Sequence, residues 1–342
     1  MREHFGKRLK AERPEAWRAG HGRLYEHLRE TAKPLPDTLS EMAPLFQAMQ
    51  HGCQAGRHEA VLHEVFGPRI RRGGENYTIQ KLGAYGADLA ALAGLFDPPF
   101  ERPLPTLTEV DQAFILNDSA FDLRALGRLS EAAAPIRASL DAYVAMQNWT
   151  GSAVSACNLC ELHLTLGDVA EAVATGEASV TYADRSGDGF MRTASRAYLA
   201  NALHQAGEGA RAEELFEEAE ALQAEWQPEY QRLYSVQGFF YCDLLLARGS
   251  AIEVRQRANS ALEFGGEHYW LLGRALDDVS LGSAALALGE HGEARRRLDE
   301  GLDGLRQAGQ RGYLERGLLA RAALFRETKR PQARFGTGDA HR

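Results

Sequence analysis

Three sets of residues in this chain have the types and spacing to do chemistry. Cys157, Cys160 and His163 have the C-x-x-C spacing of half a zinc site. A closed tetrahedral site needs four ligands, and no second C-x-x-C or H-x-x-x-H follows. His58-Glu59 with His63 has the composition of a metalloprotease helix, but its histidines are five apart and diverge. That chemistry needs them four apart on one helical face. The third set is Asn117, Phe121, Arg124, Glu161, Asn201, His204, Phe239 and Asp243. These side chains can anchor and hydrogen-bond a peptide: aromatic groups supply affinity and polar atoms set register. No G-x-x-x-x-G-K-[ST] loop and no G-x-S-x-G elbow is present. Neither an enzyme, a metal nor a cofactor is expected.

The third set makes sense only against the elements that carry it. A glycine recurs at Gly127, Gly167, Gly207, Gly249 and Gly289, at steps of 40, 40, 42 and 40 residues. Seven before each stands Ala120, Cys160, Ala200, Cys242 or Gly282. Five after come Ala132, Ala172, Ala212, Val254 and Ala294, and twelve after come Ser139, Ser179, Ala219, Ala261 and Gly301. Fourteen of these fifteen are Ala, Gly, Ser or Cys, too many for composition to explain. A glycine between two helical stretches stops a helix because it takes positive φ without a Cβ clash. Small residues on both sides let two antiparallel helices cross closely. Each unit therefore predicts a helix hairpin with a fixed crossing point. Repeats of this period build solenoids, whose function lies on an extended surface.

The unit resembles the tetratricopeptide (TPR) repeat. The resemblance rests on the pairs Leu159-Cys160, Leu199-Ala200 and Leu281-Gly282 and on the second-helix alanines Ala132, Ala172, Ala212 and Ala294. His163 and Cys160 then fall on packing positions of their hairpin. The unit departs from the usual 34 residues, and the family's tryptophan and closing proline are mostly missing. The likeness is to long-helix relatives and implies an all-α, right-handed superhelical α-solenoid of antiparallel hairpins. Positions ten, six and three before each glycine form one helical stripe. In TPR proteins that stripe lines a concave partner-binding groove, and it contains all eight residues of the third set. Alternatively, the longer helices rotate part of the stripe into the inter-repeat core, as expected for Leu164, Leu246 and Leu286.

The expected organisation is an N-terminal helical region over 1–96, with helices near 1–12, 14–32, 38–55, 58–66 and 77–95, and a proline-rich connector over 97–106. Five hairpins follow over 107–310, then a capping helix over 311–328 and a disordered tail over 329–342. Four prolines in Asp97–Pro105 prevent helix there.

The N-terminal third carries a second resemblance. It rests on Arg2-Glu3-His4-Phe5-Gly6, Ala16-Trp17, Leu24-Tyr25-Glu26-His27-Leu28, Leu35-Pro36-Asp37, Pro44-Leu45-Phe46, His51-Gly52-Cys53-Gln54-Ala55-Gly56 and Pro68-Arg69-Ile70. This order is similar to the helical segment after the nucleotide-binding and winged-helix modules of bacterial STAND-type (NACHT-like) signalling ATPases. There, a C-terminal TPR array senses a ligand and releases the ATPase. The resemblance implies a bacterial protein or peptide sensor with an upstream ATPase module. A free-standing TPR adaptor is the alternative.

Bulk properties agree with a binding scaffold. The chain has 342 residues, net charge −8 and four cysteines. The acidic balance argues against a nucleic-acid partner. No apolar stretch is long enough for a membrane span, and the N-terminus lacks a signal-peptide core. A cytoplasmic location is expected.

Overall fold

The computed structural model describes residues 2–266 and 269–328, all in helices, turns and short loops apart from one isolated bridge between Phe96 and Pro103. The expected tail over 329–342 lies outside the described residues. The N-terminal region holds α1 (Arg2–Glu12), α2 (Pro14–Thr31), α3 (Leu39–Gln54), α4 (His58–Ala60), α5 (Tyr77–Gln80) and α6 (Tyr85–Leu92). The helix expected to end near residue 66 instead runs from α4 into a π-helical stretch, Val61–Arg71, and stops at Arg72 in the left-handed region (φ 58°). The expected helix 77–95 is broken at Gly83, which takes φ +60°.

Five hairpins follow. They are α7 (Glu109–Ala125) with α8 (Leu129–Ala145), α9 (Trp149–Leu166) with α10 (Val169–Ser186), and α11 (Gly189–Gln205) with α12 (Gly209–Trp226). Then come α13 (Ser235–Ala247) with α14 (Ala251–Gly265), α15 (Leu271–Ala287) with α16 (His291–Ala308), and α17 (Arg311–Thr328). Three first helices start on a side chain that accepts a backbone N–H: Thr108 from Asp111, Asn148 from Gly151 and Asp188 from Met191. The turn glycines all take positive φ, between 77° and 86°.

The small residues at the crossings are buried. Ala120, Cys160, Ala200, Ala132, Ala172, Ala212 and Ala294 have no exposed surface. A Cβ on Gly282 would lie 2.6 Å from Leu298 Cγ. Burial separates two layers. The second helices bury one stripe each, such as Ala172, Gly176, Ser179 and Ala183 on α10, or Ala212, Phe216, Ala219 and Gln223 on α12. This i, i+4, i+7 spacing is that of a surface helix. The first helices are buried on most sides and stack on one another, α9 on α11, α11 on α13 and α13 on α15.

The array also closes on itself. Helix α17 packs on α15 and α16 and reaches α7 at the other end. Gln310 Nε2 donates to Tyr85 Oη at 2.7 Å. A Cβ on Gly83 would fall 2.0 Å from the Gln307 carbonyl oxygen, so only glycine permits this backbone approach. Among the described residues no helix is long and apolar enough to cross a membrane.

Candidate functional site

The ring of first helices gathers part of the predicted stripe around a buried ion pair. Arg124 Nη1 on α7 lies 2.8 Å from Glu161 Oε1 on α9. Tyr313 of α17 donates its hydroxyl to the same carboxylate. All three are at least nine-tenths buried. Desolvation and the neighbouring Glu161 push the Tyr313 hydroxyl well above the ordinary phenol range. Arg124 Nε and Glu161 Oε2 have no hydrogen-bond partner among the described residues. A buried donor and acceptor left open side by side are costly unless something fills them.

These two residues line a cavity of about 180 Å³. Phe121, Tyr198, Tyr234 and Tyr313 contribute aromatic wall, and Gln80, Gln223, Gln237 and Gln310 contribute amides. Three large aromatic residues lining it keep much of their surface in solvent: Phe190 at 49%, Trp226 at 38% and Trp270 at 36% exposed. Trp226 Nε1 donates to Thr193 Oγ1 at 3.1 Å, which fixes the indole. Exposed aromatic groups clustered at a cavity are the usual mark of a binding surface.

A second cavity of about 290 Å³ shares Gln80, Phe121 and Phe190 with the first. Its wall carries polar groups from Asn117, Asn158, Arg71 and the carboxylates of Asp88, Asp118 and Asp122. Asn117 Oδ1 accepts from Asn158 Nδ2 at 3.0 Å and from Ser155 Oγ at 3.3 Å. Arg71 donates to Asp118 and to Asn76 Oδ1, and its guanidinium stacks 4.8 Å from the Phe114 ring. Burial, then repulsion from Asp118, lifts the Asp88 carboxyl to about 7. Burial and the two neighbouring acids lift Asp122 well above the carboxylate range.

The rest of the stripe lies elsewhere. Phe239 is buried, its ring 6.3 Å from Tyr313 and 5.8 Å from the Arg316 guanidinium. Asp243 Oδ2 stands 3.8 Å from His204 Nε2 and 3.9 Å from Arg316 Nη1. Asn201 is fully buried, and neither of its amide atoms has a partner among the described residues. Phe239 and Asp243 therefore meet α17, while Asn117, Phe121, Arg124 and Glu161 meet the two cavities. Leu164, Leu246 and Leu286 are half-buried.

Sequence reasoning missed the acidic wall, although a signal was present. Five before the turn glycine the repeats hold Asp122, Leu162, Ala202, Leu244 and Ala284, so one acid breaks an apolar column. The aromatic lining from Phe190, Trp226 and Trp270 follows no repeat position. Of the other two constellations, Cys157 Sγ contacts Ser195 Oγ at 3.4 Å, and burial pushes the Cys157 thiol up to about 11. His58 and His63 turn to different partners, Thr106 and Asp111. Among the described residues no three His, Cys, Asp or Glu side chains converge as a metal would need.

No protein-family model matches this sequence, and no curated protein matches it. Solved structures of helical-repeat proteins are similar to it. A Rap protein complexed with Competence and Sporulation Factor aligns over 95% of this chain and 96% of its own, at 12% identity and TM-score 0.49. The Rap conjugation gene regulator of the plasmid pLS20, in complex with the Phr* peptide, aligns over 90% and 97%, at 12% identity and TM-score 0.46. A kinesin-light-chain-type protein of Podosopora anserina with nearly identical TPR-like repeats aligns over 58% and 96%, at 20% identity and TM-score 0.43. At these values the likenesses carry no argument about a ligand. The chain is an all-α array of TPR-like helix hairpins on the strength of its own helices.

Proposed function

We propose that this chain is a peptide- or protein-binding TPR-like scaffold that takes its ligand on the inner face of the closed array. The observation that carries this reading is a cavity lined by the exposed Phe190, Trp226 and Trp270 and by the Arg124–Glu161 pair, whose unpartnered Nε and Oε2 lie just behind its wall. A peptide group offers one carbonyl acceptor and one N–H donor, which is what that pair lacks. At about 180 Å³ the cavity is below the roughly 300 Å³ typical for a whole small-molecule ligand. It suits an anchoring side chain of a longer partner, with the aromatic groups at its mouth adding contact area.

The finer reading is a ligand-sensing region of a STAND-type ATPase. Closure supports it: the inner face joins α7, α9 and α17, so a ligand there touches both ends of the array at once. A nucleotide-binding module with a P-loop in the parent reading frame would support this role. A frame without one would leave a free-standing adaptor.

The binding claim is tested by selecting from a displayed random-peptide library on the full chain. Enriched peptides should lose about tenfold or more in affinity on Phe121→Ala or Trp226→Ala, measured by calorimetry. Enriched peptides indifferent to both changes, or no enrichment, would remove this reading.

A further inference from the structure

The second cavity holds three carboxylates, from Asp88 on α6 and from Asp118 and Asp122 on α7. Arg71 is the one basic residue among the described residues that line it, and it is committed to Asp118 and Asn76. Asp88 is 5% and Asp122 1% exposed. One oxygen of each, Asp88 Oδ1 and Asp122 Oδ2, has no partner among the described residues. Thr78, the neighbouring hydroxyl, donates to the Ile70 carbonyl and also lies within reach of the Asp88 carboxylate. Buried carboxylates are normally paired or fully hydrogen-bonded. Here a cavity with room for a large side chain adjoins two that are not.

We propose that this cavity receives the cationic side chain of the bound peptide, a guanidinium or an alkylammonium, which Asp88 and Asp122 neutralise. The inference rests on the peptide-binding reading and names the chemical class it selects. The cavity walls suit such a group beyond charge. Phe121, whose ring also carries the Arg124 guanidinium at 5.1 Å, adds aromatic wall, and Asn117 and Asn158 add amide groups. Phe121, Gln80 and Phe190 line both cavities, so the residue next to the cation would fall among the aromatic groups around Trp226. The preferred ligand is therefore a basic residue beside a large apolar one. Asp118 already answers Arg71, so its part is to hold that guanidinium out of the space the ligand takes.

The test uses the full chain and four probes: acetyl-Phe-Arg-amide, its citrulline isostere, its glutamate analogue, and phenethylguanidine. Citrulline keeps the shape of arginine and removes the charge. Calorimetry should show the arginine peptide binding about tenfold or more tighter than the citrulline peptide, with the glutamate peptide weakest. In Asp88→Asn/Asp122→Asn that preference should shrink to about twofold or less, because both anions are gone. These changes relieve a buried charge, so the fold is expected to survive them, and circular dichroism checks this. Equal affinity for arginine and citrulline peptides, or a preference that persists in the double variant, overturns the cation site and leaves the peptide reading standing. Saturable binding of phenethylguanidine that depends on Asp88 and Asp122, with no peptide bound, upholds the cation site and removes the peptide reading. Binding of no probe at millimolar concentration overturns both.

Discussion

On α7, the positions nine and five before the turn glycine hold Asp118 and Asp122, and three before it stands Arg124; on α15 the same positions hold Ser280, Ala284 and Leu286. Asp122 and Ala284 are buried to the same degree, at 1% and 0% exposed. The hairpin frame sets burial, so it does not discriminate between an acid and an alanine. Chemistry does: Ala284 sits in the largest apolar cluster of the array, whereas Asp122 borders a cavity with an oxygen unanswered. The α15 helix has a buried acid of its own, Asp277, which also has one oxygen without a partner among the described residues, but it lies against Tyr269 and lines neither cavity. Perturbed ionisable groups beside open space mark functional sites more often than those folded into a network. The contrast therefore supports the proposed binding surface at the α6–α7–α9 end.

The largest way to break this comparison is to remove the central cation. Arg124→Ala leaves Glu161 buried without its partner and should cost about 3–5 kcal/mol in urea unfolding. Leu286→Ala, at the equivalent place on α15 but half-buried, should cost clearly less. Equal losses would mean that the α7 end is ordinary core. Next in size is the shared frame. Ala172→Leu and Ala294→Leu should each overpack a crossing by about 1–3 kcal/mol, since both alanines are fully buried. A thermal melt unchanged by either one would remove the crossing-point assignment at that end.

The last effect has the opposite sign. Asp88 faces Asp118, Arg71 and Thr78 in its pocket, and Asp122 and Tyr85 lie near it. Its carboxyl is raised to about 7 when folded, against about 3.9 in an unfolded chain. A raised carboxyl contributes stability that is complete below the unfolded value and is lost as pH climbs through the folded one. Asp88→Asn should therefore change little near pH 4 and stabilise the free protein at pH 8. Chemical denaturation at the two pH values reads this directly. Destabilisation at pH 8 would show that Asp88 is a structural acid like Asp277.

Much of the frame was legible in the chain. The residues Gly127 to Gly289 and their small neighbours act through contacts a few positions apart on one helix or across one turn, so spacing alone exposes them. The boundaries that went astray have local causes of another kind. The helix predicted to end near 66 persists to Arg71 by widening into π turns, and the one predicted over 77–95 yields at Gly83 because the Gln307 backbone crowds it from the far end of the chain. The candidate site was half legible. Asn117, Phe121, Arg124 and Glu161 follow from register, but Phe190, Trp226 and Trp270 stand at turns and loop edges where no periodicity points.

Short-range spacing, then, was enough to specify the hairpins and their crossing points, because each of those follows from neighbours within one repeat. Whether the array stays open or closes depends on small rotations summed over five hairpins, and no single repeat contains that sum. Closure is what brings Tyr313 to Glu161 and Gln310 to Tyr85. It sets part of the stripe against α17 and leaves part facing the cavities, with Glu161 at the join. Contacts spanning 152 and 225 residues of sequence settle that division, and they exist only once every hairpin between them has stacked.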